Sequence, residues 1–145
     1  MPRTIESLTL DDAKRMIAAA ETEADALGIP YNFAIVDAGG HLIAFSRQDG
    51  ALIGSIDLAI NKAYTSRLFD TPTSALATLS QPSAPLYGIQ HSNRGNVVIF
   101  GGGVPVWRDG LIIGAVGASA GTVEQDIAVA EAAIRAIEPA APLNT

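Results

Sequence analysis

The 145-residue sequence predicts an α+β domain with elements in the order α-β-β-α-β-β-β-α. Two short glycine-bearing turns, Ala38-Gly39-Gly40 and Asp109-Gly110, each separate apolar runs of strand length. Such turns fold neighbouring strands back on each other, so the sheet is mostly antiparallel. Three longer segments repeat apolar residues at three- and four-residue steps, the spacing of one helix face. The length suits one domain over residues 1–145 with a core of its own, and no internal repeat is visible.

The first helix is expected over Thr9 to Leu27. Thr9 can cap it, Asp11 and Asp12 suit the positive end of its dipole, and Leu10, Ala13, Met16, Ile17, Ala20, Ala24 and Leu27 form its stripe. Gly28 and Pro30 stop it. Two strands follow, Tyr31 to Asp37 and His41 to Arg47. A second helix, from about Leu52 to Phe69, offers Leu52, Ile56, Ala59, Ile60 and Ala63 to the core. At 100° per residue, Ser55, Lys62 and Ser66 fall on one stripe bordering that face. A lysine flanked by hydroxyls there can bind an anionic group, or lay its stem on the surface with its ammonium in water.

Thr71 to Gln90 is rich in Pro, Ser and Thr, and predicts a short helical turn near Ser74 to Leu79 followed by irregular loop. Three strands are expected next: residues 96–100 joined by 88–90, then 104–108, then 111–118. The run Gly101-Gly102-Gly103 exposes backbone and leaves room for a ligand or another subunit. The last strand turns at Gly117-Ala118-Ser119-Ala120-Gly121 into a helix carrying Val123, Ile127, Ala130, Ile134 and Ile137 on one face. Thr122 and Gln125 have the spacing of a capping box. Amide groups left open at such a helix start favour a carboxylate. From Pro139 onward the chain reads as a polar tail.

The net charge of −6 argues against nucleic acid as a partner, because phosphate binding needs clustered Lys and Arg. The chain has no cysteine, so disulfides and thiolate metal sites are excluded. No apolar run is long enough to span a membrane, the N-terminus lacks a signal-peptide pattern, and cytoplasmic residence is the default. Only 17% of residues are charged, which suggests that some faces are buried in an oligomer.

Gly117 to Gly121 matches G-x-S-x-G, but no histidine follows Ser119, so the hydrolase reading fails on chain order. Ser119 remains as a pocket hydroxyl. His41 and His91 are the only histidines and lack metal-motif spacing. His91, between an irregular loop and Asn93-Arg94-Gly95, suits a haem ligand or a general acid/base. Arg47 can grip a carboxylate through its fork, and Glu124 can act as an acid or base at the helix start.

Five blocks carry a resemblance: VDAGGHLIAFSRQDGA, SIDLAINKAYTS, QPSAPLYGI, VVIFGGGVP and IGAVGASAGTVEQD. In that order, over about Leu8 to Ile137, they resemble the haem-degrading domain family of GlcG-like and HbpS-like proteins. The resemblance implies a profilin-like domain with a central antiparallel sheet, assembled into symmetric oligomers of up to eight copies. It also implies haem as a ligand in some members, and fusion to corrinoid adenosyltransferases or a place in small-acid catabolism in others. Lys62, Gly101 to Gly103 and Thr122 to Asp126 fall at the family's shared positions, whereas His91 falls where members vary.

Three functional readings follow. In the first, the protein binds haem, with His91 on the iron and Lys62 or Arg47 on a propionate. The pocket would lie near Gly101, Gly102, Gly103 and Thr122. In the second, a cofactor-free enzyme acts on a small carboxylic acid by proton transfer, hydrolysis or deamination. His91, Lys62 or Glu124 would then move protons, with Arg47, Ser55, Asn93 and Ser119 in the ligand site. In the third, the chain is an assembly subunit without catalysis.

Overall fold

The computed structural model describes residues 1–138; the tail expected from Pro139 lies outside them. Helix α1 spans Leu10–Leu27, strands β1 and β2 span Asn32–Asp37 and Leu42–Arg47, and helices α2 and α3 span Ser55–Phe69 and Thr73–Leu79. Two short turns, Ile89–His91 and Asn93–Gly95, precede β3 (Gly103–Arg108), β4 (Leu111–Ser119) and α4 (Val123–Arg135). The four strands are ordered β2-β1-β4-β3 and every pairing is antiparallel. Among the described residues no helix is long and apolar enough to cross a membrane.

Local chemistry sets the helix ends. Thr9 accepts from the Asp12 amide at 3.2 Å while Asp12 accepts from the Thr9 amide at 2.9 Å. At the other end Gly28 takes a left-handed φ of 71°, which glycine adopts without strain. Ala13, Met16, Ala20 and Ala24 face the core. Leu10 is exposed, because the extended segment before the helix docks Leu8 instead, with the Leu8 amide donating to the Ile113 carbonyl at 2.9 Å.

The sheet has a helix layer on each face, as the alternation of strand side chains requires. Phe33, Ile35, Val116 and Ala118 pack with α1 and α4, while Ala34, Val36 and Ala115 pack against Ala59 and Ala63 of α2. Residues 96–100 do not form the expected fifth strand. Thr65 of α2 intercepts their backbone: its hydroxyl accepts from the Val98 amide at 3.0 Å and donates to the Asn96 carbonyl at 3.3 Å. Helix α2 also departs from its expected face. It starts at Ser55, Leu52 is exposed, and its buried residues are Ser55, Ala59, Lys62, Ala63, Thr65 and Ser66.

That face lies directly on backbone. A Cβ at Gly117 would overlap the Ala59 carbonyl oxygen, and one at Gly103 would overlap the Lys62 carbonyl. Gly101, Gly102 and Gly103 are all buried, so the glycine run admits α2 and α4 rather than a ligand. Gly117→Ala is therefore expected to destabilise the fold by about 3 kcal/mol or more, since the obstacle is helix backbone. Gly54→Ala, with open space around it, is expected to change stability by less than about 1 kcal/mol. Urea denaturation of the two variants beside the parent checks both expectations.

Candidate functional site

Where α2, β4 and α4 meet, Lys62 reaches past the glycine-bared edge of the sheet to the helix on its far side. Its Nζ donates to Asp126 Oδ2 at 2.7 Å and to the Ala118 carbonyl at 3.0 Å. The ammonium also lies 5.1 Å from the centre of the Phe100 ring, within cation–π range. Lys62 has no exposed surface, so neither the exposed ammonium nor the propionate grip expected of it is available.

Asp126 is as fully engaged as its partner. Its Oδ1 accepts from the Tyr31 hydroxyl at 2.8 Å, from the Gly121 amide at 2.9 Å and from the Ala120 amide at 3.2 Å. Just ahead of α4, the Ala120 and Gly121 amides thus hold the protein's own carboxylate. Thr122 and Gln125 form the expected box, with the Thr122 amide donating to Gln125 Oε1 at 2.9 Å and the Gln125 amide to Thr122 Oγ1 at 3.2 Å. Thr122 is thus a helix cap. Burial lowers the Lys62 ammonium from the ordinary lysine range, and the hydrogen bond and charge of Asp126 oppose that shift. Burial also raises the Tyr31 phenol, reinforced by its hydrogen bond to Asp126 and that residue's charge.

The remaining expected site residues are dispersed. Ser55 and Ser119 are buried with Asn32, whose Nδ2 donates to the Leu52 carbonyl at 3.0 Å. Strand register aligns Arg47, Asn32 and Ser119 across one end of the sheet. Arg47 itself is exposed in a cleft of about 650 Å³ shared with Glu21, Asp25 and Asp49, carboxylates that disfavour a bound acid. Glu124 is exposed in the first turn of α4. His91 and Asn93 are exposed on the loop between α3 and β3, where Asn93 Oδ1 accepts from the Ser92 hydroxyl at 2.9 Å. His41 is also exposed, with Nδ1 3.4 Å from Asp37 Oδ1.

Sequence reasoning singled out Lys62 but not its partners Asp126 and Phe100, nor Tyr31, which bonds Asp126. The available signal was an acidic residue in the turn that follows Thr122, which dipole stabilisation explains equally well. Among the described residues no group of three or more His, Cys, Asp or Glu side chains could hold a metal ion.

These features define a class: a four-stranded antiparallel sheet covered on both faces, whose two helix layers are joined past the sheet by a lysine–aspartate bridge. The chain belongs to the family described as haem degrading protein HbpS-like, whose model matches residues 8–135. It is 45% identical over 130 residues to an uncharacterised 15.0 kDa protein from the dhaT-dhaS intergenic region of Citrobacter freundii, covering 90% of this chain and 92% of that one. It is 42% identical to the corrinoid adenosyltransferase PduO of the same organism over 90% of this chain, but spans only 39% of PduO. Among solved structures, Klebsiella pneumoniae protein ORFY superposes with a TM-score of 0.91 at 37% identity, covering 93% of each chain. A PduOC–haem complex superposes at 0.87 with 42% identity, covering 90% of this chain and 95% of that one.

Removing one partner of the bridge strands the other. Asp126→Ala leaves a buried ammonium facing only a carbonyl and a ring, and is expected to cost about 3–5 kcal/mol. Lys62→Met leaves Asp126 with three donors and is expected to cost less; chemical denaturation ranks the two. Alkaline titration separates the phenol from the amine. The Tyr31 phenol keeps its proton when the unfolded chain loses one, so its contribution is whole below about pH 10 and is lost as pH rises through its raised folded value. Lys62, lowered in the fold, acts oppositely between its folded value and the ordinary lysine value. Stability measured from about pH 8 to about pH 11 is expected to lose its uppermost fall in Tyr31→Phe.

Proposed function

We propose that this protein binds haem through His91, on an open face that a second copy of the chain completes. The observation that carries this reading is the surface of the loop after α3. There His91 is exposed and its imidazole has no hydrogen bond or ion pair among the described residues. Leu79, Leu86, Tyr87 and Phe100, from the same stretch of chain, keep much of their apolar surface in water. A porphyrin needs both an axial donor and apolar cover. Gln90 Oε1, beside His91, is buried without a donor, an acceptor that a ligand or neighbouring copy can satisfy.

Family membership supports the ligand class, and a neighbour of the same fold is described as a complex with haem. The sealed bridge leaves Lys62 out of this reading. Arg94, exposed three residues beyond His91, is the cation offered to a propionate. Bound haem would supply an iron centre capable of oxygen and electron chemistry; the chain's part is to ligate it, orient it and cover it. Large apolar side chains left in water, including Leu52 and Ile53 before α2, support assembly into a homo-oligomer. PduO's adenosyltransferase activity is not carried over, because this chain matches only a minor part of that protein.

Haemin titration followed by absorbance tests the reading. A saturable, sharpened Soret band is expected in the parent and in His41→Ala, and is expected to be lost in His91→Ala. A broad, non-saturating spectrum shared by all three proteins would sink it.

A further inference from the structure

We propose that the groove between the N-terminal segment, the end of α2 and the β3–β4 hairpin binds a small carboxylate with an apolar body, either an aromatic acid or a medium-chain acyl acid. The groove encloses about 340 Å³, at the lower end of small-molecule sites. Ile5, Trp107, Leu111 and Ile112 supply its apolar walls, and Arg3 and Arg67 supply guanidinium groups. It contains neither histidine, so it is separate from the haem reading.

The geometry of β3 aims the tryptophan. Val106 is buried, and the pairing with β4 shifts register between Val106 and Trp107. Such a bulge re-aims the next side chain, and Trp107 emerges 55% exposed. Leu111 joins it from across a tight turn fixed by left-handed Asp109 and Gly110. An indole and a leucine held in water beside a concavity are suited to a flat or acyl body.

Charge selects the other half of the ligand. Two carboxylates line the groove, and each has a guanidinium partner: Asp70 Oδ1 lies 2.6 Å from Arg67 Nη1, and Glu6 Oε1 lies 3.8 Å from Arg108 Nη1. Arg67 is further fixed by donating Nε to the Ala38 carbonyl. Arg3 makes no hydrogen bond or ion pair among the described residues. A positive group thus stands uncompensated beside an exposed indole on a chain whose net charge is −6. Carboxylate recognition by a guanidinium fork matches that arrangement. The neighbouring groove under Trp107 sets the two carboxylates of Asp109 and Glu138 against the one guanidinium of Arg108, a balance less favourable to an acid.

Trp107 is the only tryptophan in the chain, so intrinsic fluorescence reports on this groove and its neighbour, and Arg3, which lines only this one, tells them apart. Haem-free protein is titrated with octanoate and benzoate, and with 1-octanol and benzyl alcohol as neutral controls. A saturable change is expected with the acids, about tenfold tighter than with the alcohols. Arg3→Ala is expected to reduce acid affinity to that of the alcohols, whereas Leu111→Ser weakens both; both side chains are at the surface, and circular dichroism checks that the variants fold. Equal response to acid and alcohol, no response, or unchanged binding in Arg3→Ala would overturn the proposal. So would a signal that follows protein concentration and ignores the acids, which would mean that a second copy fills the groove.

Discussion

The Lys62–Asp126 bridge is the constraint on which the rest of the architecture depends. A charged pair taken out of water is tolerable only when its polar capacity is met, and here Asp126 has four donors while the Lys62 ammonium has two oxygen acceptors and the Phe100 ring. Asp126 accepts from Lys62, Tyr31, Ala120 and Gly121, which ties α2, β1 and the end of β4 to the first turn of α4. The bridge needs α2 close enough to the sheet for its lysine to cross. The glycines at 102, 103 and 117 make that approach possible by presenting no side chain where the helix or its lysine must pass.

A sealed bridge has consequences for where chemistry can happen. In the turn into α4, Asp126 takes the Ala120 and Gly121 amides and the Thr122–Gln125 box takes two more. Ligand-accessible groups are instead displaced to the outer surface: His91 and its apolar neighbours on the loop after α3, and Trp107 with Arg3 at the opposite, hairpin-bearing end of β3. Both are open to solvent, and both combine one polar anchor with exposed apolar area. In the proposed haem reading, an open face and a charge-poor surface are two sides of one property, since cover that the chain does not supply to a porphyrin would come from another copy.

Local signals were readable wherever the chain decides a feature within a few residues. Thr9 and Thr122 cap as their spacing requires, Gly28 stops α1, and the two glycine-bearing turns close hairpins. In α2 periodicity was right for Ala59 and Ala63 but misled at Leu52, which is in water, while Ser55, Lys62 and Ser66, expected at the border of that face, are inside. It also misled at 96–100, where a β-rich composition resembles a strand but Thr65 takes the backbone bonds that a neighbouring strand would have made.

By itself, then, the sequence determined the α+β class, the antiparallel hairpins, the helix caps and the family, because each rests on contacts a few residues apart or on blocks in fixed order. Only the tertiary structure decided which charges lie at the surface and which are internal scaffold. Lys62 and Asp126 are 64 positions apart, and nothing local to either marks them as partners. The burial of an ionised group is stable or ruinous according to what faces it, and what faces it is known only once the chain has folded.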